Sequence, residues 1–66
     1  MIIKVNETPR EISNTMSLQE LIDELQISVN GIAIAINNNV IKKENWQLHS
    51  LKENDNILII RSTQGG

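Results

Sequence analysis

No cysteine occurs anywhere in the chain. That excludes disulfides and thiolate metal sites, and any sulfur chemistry has to use a group other than a thiol of this chain. Phenylalanine and tyrosine are absent too, which leaves Trp46 as the sole aromatic among them and offers no platform on which bases could stack. The six basic residues, Lys4, Arg10, Lys42, Lys43, Lys52 and Arg61, are scattered, and the formal net charge is -2. Without a phosphate-tracking stripe, a nucleic-acid partner is disfavoured. No apolar run approaches the ~18 residues of a membrane span, and no basic-then-apolar leader opens the sequence. No membrane association is expected, and the cytoplasm is the expected location. The carboxylates show no metal-ligand spacing, so no metal is expected.

What is present fits into one small domain. A chain of 66 residues buries a modest fraction of its surface and is marginally stable. It has no room for both a core and a deep catalytic cleft. A carrier, binding module or subunit is expected rather than an enzyme.

Met1 to Val5 is rich in β-branched residues and reads as a strand. Asn6-Glu7-Thr8-Pro9 is a turn signal, with Arg10 to Ile12 as the returning strand. Ser17-Leu18-Gln19-Glu20 fits a capping box, in which Ser17 accepts from the third helical amide and Glu20 reaches back. Leu18, Leu21, Ile22 and Leu25 repeat at the spacing of one helix face, which predicts a helix from Leu18 to Gln26. Glu20, Asp23 and Glu24 lie off that stripe and read as a solvated face. Ile32 to Ile36 alternates large and small residues as a strand does. Asn37-Asn38-Asn39 predicts a turn, Val40-Ile41 a short strand, and Glu53 to Asn56 another turn before a last strand from Ile57 to Arg61. Lys42 to Leu51 reads as irregular, with a short helical turn at most. The order β-β-α-β-β-β predicts a two-layer α+β domain over residues 1–61, a mixed sheet packed on one main helix.

The last strand carries more apolar residues than such a sheet needs. A strand covered on one face alternates apolar and polar, yet Ile57, Leu58, Ile59 and Ile60 are all apolar. With Ile57 and Ile59 facing the helix, Leu58 and Ile60 point away, as does Ile2 in the first strand. If those strands are neighbours, Ile2, Leu58 and Ile60 form an exposed apolar patch, a feature that marks partner sites. Trp46 reads as structural cover at the core edge. His49 has no Asp, Ser or Cys constellation in view and reads as a surface residue.

The sequence closes Arg61-Ser62-Thr63-Gln64-Gly65-Gly66. At average composition, two terminal glycines arise by chance in roughly one chain in 200. Residues 62–66 are expected as a flexible C-terminal tail. A terminal carboxylate with pKa ~3.5 is an anion at neutral pH and a poor electrophile, so it becomes reactive only when activated, for instance as an acyl-adenylate. Glycine has no Cβ, so its carboxylate can approach a partner's nucleotide closely. Six extended residues reach ~20 Å at most, enough to thread Gly66 into a partner while the body docks outside. Gly65 and Gly66 are therefore the candidate site. Ile2, Leu58, Ile60, Arg61, Ser62, Thr63 and Gln64 are the candidate partner contacts.

The strand IIKVN, the helix SLQELIDEL, the segment AIAINNNVIKKENW and the closing ILIIRSTQGG, taken together, resemble the ThiS family, sulfur carriers of thiamine thiazole biosynthesis with the ubiquitin-like β-grasp fold. The resemblance spans essentially the whole chain. It implies that no cofactor is bound. A ThiF-type adenylyltransferase would use ATP to adenylate the Gly66 carboxylate. Sulfur from a donor such as a cysteine desulfurase would then convert it to a thiocarboxylate, and thiazole synthase would take up that sulfur. The family usually has Gly-Asp before the last strand. Asn54-Asp55 stands there in this chain, and Asn tolerates the left-handed backbone next best after Gly. Two other fates of such a tail are the small subunit of molybdopterin synthase and a ubiquitin-like modifier attacked by a lysine amine. A plain interaction module with an idle tail is a third alternative.

Overall fold

The computed structural model describes residues 1–61. Ser62 to Gly66, the expected tail, lie outside the described residues. The element order is β1 (Ile2–Val5), β2 (Thr8–Glu11), α1 (Leu18–Leu25), β3 (Ile32–Ile36), β4 (Asn39–Ile41), a 3₁₀ turn (Lys43–Asn45) and β5 (Asn56–Arg61). The five strands form one sheet in the order β2-β1-β5-β3-β4. β5 runs parallel to β1 and antiparallel to β3, so the last of the described strands is the central one.

The hairpins turn on four residues of positive φ, three of them asparagine. Asn6 and Glu7 between β1 and β2, and Asn37 and Asn38 between β3 and β4, all have positive φ. Two successive left-handed residues give the turn whose twist matches the flanking strands. The sequence predicts a turn through Pro9, but β2 already includes Thr8 and Pro9. Pro9 is accommodated because β2 is an edge strand, where a missing N–H breaks no ladder. Asn54, before β5, has φ 70, the left-handed conformation expected of it.

The helix is specified at both ends. Ser17 accepts from the Glu20 amide at 3.2 Å, and the Ser17 amide donates to Glu20 Oε1 at 2.8 Å, the reciprocal box read from sequence. Gln26 closes the helix in the left-handed conformation with its amide on the Asp23 carbonyl, as an αL cap does. Leu18, Leu21 and Ile22 are buried against Ile3, Ile34, Ile36 and Ile57 of the sheet. Trp46 lies inside this core, 1% exposed, with its indole Nε1 donating to the Ile41 carbonyl at 2.9 Å. The buried indole thus has a partner for its one donor.

Two polar knots hold β5 in place. The buried carboxylate of Asp55 accepts from Asn37 Nδ2 at 3.0 Å and from the Lys52 amide at 2.8 Å, while Asn37 Oδ1 accepts from the Asn56 amide at 3.0 Å. This ties the β3–β4 turn to the start of β5. On the other side β1 ends at Val5, and Asn6 continues the pairing in its stead. The Asn6 amide donates to the Ile57 carbonyl at 2.9 Å, and Asn6 Oδ1 accepts from the Ile59 amide at 2.8 Å. An exposed Arg10–Glu24 pair at 3.2 Å links β2 to the helix and contributes little in high dielectric.

Candidate functional site

The face of the sheet away from α1 has two halves of different character. Register decides which residues share it. On β5, Ile57 is buried and Ile59 half-buried, whereas Leu58 and Ile60 stand out at 45% and 46% exposure. Leu58 lies opposite Ala35 and Ile60 opposite Ala33 on β3, and Ala35 in turn lies opposite Val40 on β4. Residues directly paired across antiparallel strands share a face. Val40, Ala35, Leu58, Ala33 and Ile60 therefore form a continuous apolar surface, with Val40 its most exposed member at 69%.

Ile2 is exposed on the same face, on the neighbouring strand, but at some distance. The register pairs Lys4 with Asn56, which sets Ile2 level with Asn54. The Asn54 amide accordingly donates to the Ile2 carbonyl at 2.8 Å. Ile2 is thus four residues, or ~13 Å of strand, from the level of Leu58. Lys4 and Asn56 stand between them, and Pro9 and Glu11 are its other neighbours on the face. The single patch expected of Ile2, Leu58 and Ile60 is divided. Leu58 and Ile60 belong to the apolar half, and Ile2 to a mixed half with Lys4 and Glu11.

Sequence reading missed Val40, Ala33 and Ala35. A signal was available in Ile-Ala-Ile-Ala-Ile, whose outward positions are alanine rather than polar. What was not legible was that Val40 falls in register with Ala35 and Leu58, because the pairing of strands β3, β4 and β5 is a property of the tertiary fold.

Arg61 is exposed at the end of β5, opposite Ile32 at the start of β3. The apolar half and the root of the closing segment thus lie at the same end of the central strand. Ser62, Thr63, Gln64, Gly65 and Gly66, the remaining candidate residues, lie outside the described residues. His49 is half-buried, and its carbonyl accepts from the Leu18 amide at 2.9 Å, a structural use of the backbone. Among the described residues no group of His, Asp or Glu is arranged to hold a metal ion. No helix in them is long and apolar enough to cross a membrane.

Comparison with known proteins fits this geometry. The model of the ThiS family matches residues 3–66. The sulfur carrier protein ThiS of Escherichia coli (strain K12) is 29% identical over 66 residues, covering 100% of both chains. The crystal structure of the thiamine biosynthesis protein ThiS from Geobacter metallireducens superposes with a TM-score of 0.86 at 20% identity, covering 100% of both chains. The solution structure of a thiamine biosynthesis protein from the same organism gives a TM-score of 0.79 at 20% identity, covering 100% of this chain and 88% of that one. The fold is the ubiquitin-like β-grasp.

Proposed function

The chain belongs to the ThiS family of sulfur carriers, and on that premise we propose that its Gly66 carboxylate is the atom group that carries the sulfur. The chain is a carrier acted on by partner enzymes, not itself a catalyst. The observation that carries the reading is the place of β5. It is the central strand, hydrogen-bonded on both sides and tied by Asn6 and Asn37, and Arg61 at its end leads into Ser62-Thr63-Gln64-Gly65-Gly66. A rigid root beside an apolar face suits a body that docks on a partner and delivers a carboxylate at a fixed reach.

The chemistry is activation followed by acyl substitution. A carboxylate oxygen of Gly66 attacks the α-phosphorus of ATP in a ThiF-type adenylyltransferase, and pyrophosphate leaves. The terminal sulfur of a partner's persulfide, formed by a donor such as a cysteine desulfurase, attacks the acyl carbon, and AMP leaves with the bonding pair. A second thiol then cleaves the S–S bond, forming a disulfide and releasing the thiocarboxylate. ATP is consumed by the partner, and no cofactor need reside on this chain. The acceptor is thiazole synthase, and the setting is the cytoplasm. The lack of cysteine is consistent with sulfur carried on the C-terminus.

Intact mass after incubation with ATP, the adenylyltransferase and a sulfur source tests this reading. A gain equal to sulfur replacing oxygen, mapped to Gly66, is expected. No gain with a partner shown to be active overturns it, and isopeptide-linked lysine conjugates instead would establish a modifier.

The docking face has its own test. Leu58→Asp and Ile60→Asp each remove a half-exposed apolar side chain worth about 1.5–3 kcal/mol when fully buried. Each is expected to weaken adenylyltransferase binding by about ten- to a hundredfold while the fold persists. Ile2→Asp, in the mixed half, is expected to cost less. Equal losses at all three positions, read by titration calorimetry, would refute the division of the face.

A further inference from the structure

Of the nine asparagines in the chain, Asn30 alone is followed by glycine. It sits in the turn that leads into β3, and both Asn30 and Gly31 are exposed. Gly31 adopts φ 75, a conformation that glycine takes without a Cβ penalty. The Asn30 amide N–H is held by Ser28 Oγ at 3.3 Å, but among the described residues the Asn30 side chain makes no hydrogen bond. Of the other eight asparagines, three have occupied side chains, so it is the following glycine that sets Asn30 apart. Asn6 accepts from Ile59, Asn14 accepts from the N-terminal ammonium, and Asn37 bonds both Asp55 and Asn56.

We propose that Asn30 is a site of spontaneous deamidation built into the turn before β3. The Gly31 backbone nitrogen attacks Cγ of Asn30, its proton is lost, and ammonia leaves, closing a five-membered succinimide. Water then adds at either carbonyl and opens the ring, giving aspartate at this position by one route and isoaspartate by the other. No oxidant, reductant or cofactor is needed. A side chain on the following residue would crowd the attack, and glycine has none.

The position makes the product consequential. Val29 and Ile32, which flank the turn, both pack against the core, and Ile32 is paired with Arg61 at the end of β5. The aspartate product adds a negative charge near this end of the sheet. The isoaspartate product also adds a methylene to the main chain between two anchored residues, so Val29 and Ile32 cannot both keep their places without strain. The modification therefore acts on the strand beside the root of the closing segment.

The test is peptide mapping by mass spectrometry of the full-length chain aged in mildly alkaline buffer, with isoaspartyl methyltransferase labelling to separate the two products. Conversion at residue 30 is expected to run on the order of tenfold faster than at any other asparagine, because only there is the attacking nitrogen unhindered. Asn30→Ser should abolish the early charge variant, and the isolated isoaspartate form should melt below the Asn30→Asp variant. Faster conversion at another asparagine overturns the site, and equal melting of the two forms overturns its coupling to the fold. Neither readout requires the carrier reading to be correct.

Discussion

Removing Gly66, or extending the chain beyond it, is expected to abolish thiocarboxylate formation while leaving the fold intact. Deletion moves the carboxylate back by up to ~3.5 Å, and a displacement of about 1 Å from a reactive geometry can already cost a hundredfold in rate. Extension replaces the reacting carboxylate by an amide. Neither change touches the described residues, in which the nearest β5 contact is Arg61 opposite Ile32. The expected result is an unchanged amide spectrum with no sulfur-for-oxygen mass gain, against full conversion of the parent. A truncated chain that still gains sulfur at its new terminus at the parental rate would remove the argument for Gly66. Gly66→Ala asks the finer question of whether the adenylate site tolerates a Cβ, and a large loss in turnover is expected there.

Trp46→Ala is expected to unfold the protein. The side chain is 1% exposed and part of the main core cluster. Truncating a buried Trp or Phe to Ala costs about 3–5 kcal/mol, and a core below about 70 residues rarely supplies more than about 3–5 kcal/mol. The substitution also leaves the Ile41 carbonyl without its indole donor. Far-UV circular dichroism is the suitable readout, because the change removes the only tryptophan. Trp46→Phe should keep a cooperative fold with a lowered midpoint, since it restores most of the volume and omits only the hydrogen bond. A Trp46→Ala variant that melts cooperatively near the parental temperature would show that the segment following β4 is not part of the stabilising core.

Local order was legible because local chemistry specifies it. The capping box at Ser17 and Glu20 involves residues three apart. The helix stripe of Leu18, Leu21, Ile22 and Leu25 needs only the helical period. The turns at Asn37-Asn38 and Asn54 need only the tolerance of asparagine for positive φ, whereas the turn at Asn6 also puts Glu7 there. The inward–outward assignment on β5 was also legible, since a strand places alternate residues on opposite faces. The place of Pro9 was not, because edge or interior position is not a property of the local sequence. In an edge strand its missing donor costs no ladder bond.

What the sequence by itself determined was the set of elements and the apolar excess of Leu58 and Ile60. The tertiary structure decided how these are put together. It placed β5 at the centre of the sheet and brought Val40 into register with Ala35 and Leu58. It also separated Ile2 from them behind Lys4 and Asn56. Parallel pairing of β1 with β5 joins residues from opposite ends of the chain, and a shift of one residue in register would turn every outward side chain inward. No local pattern encodes that choice. It is made by burying Ile3, Ile34 and Ile57 together beneath α1, where all three are fully removed from water.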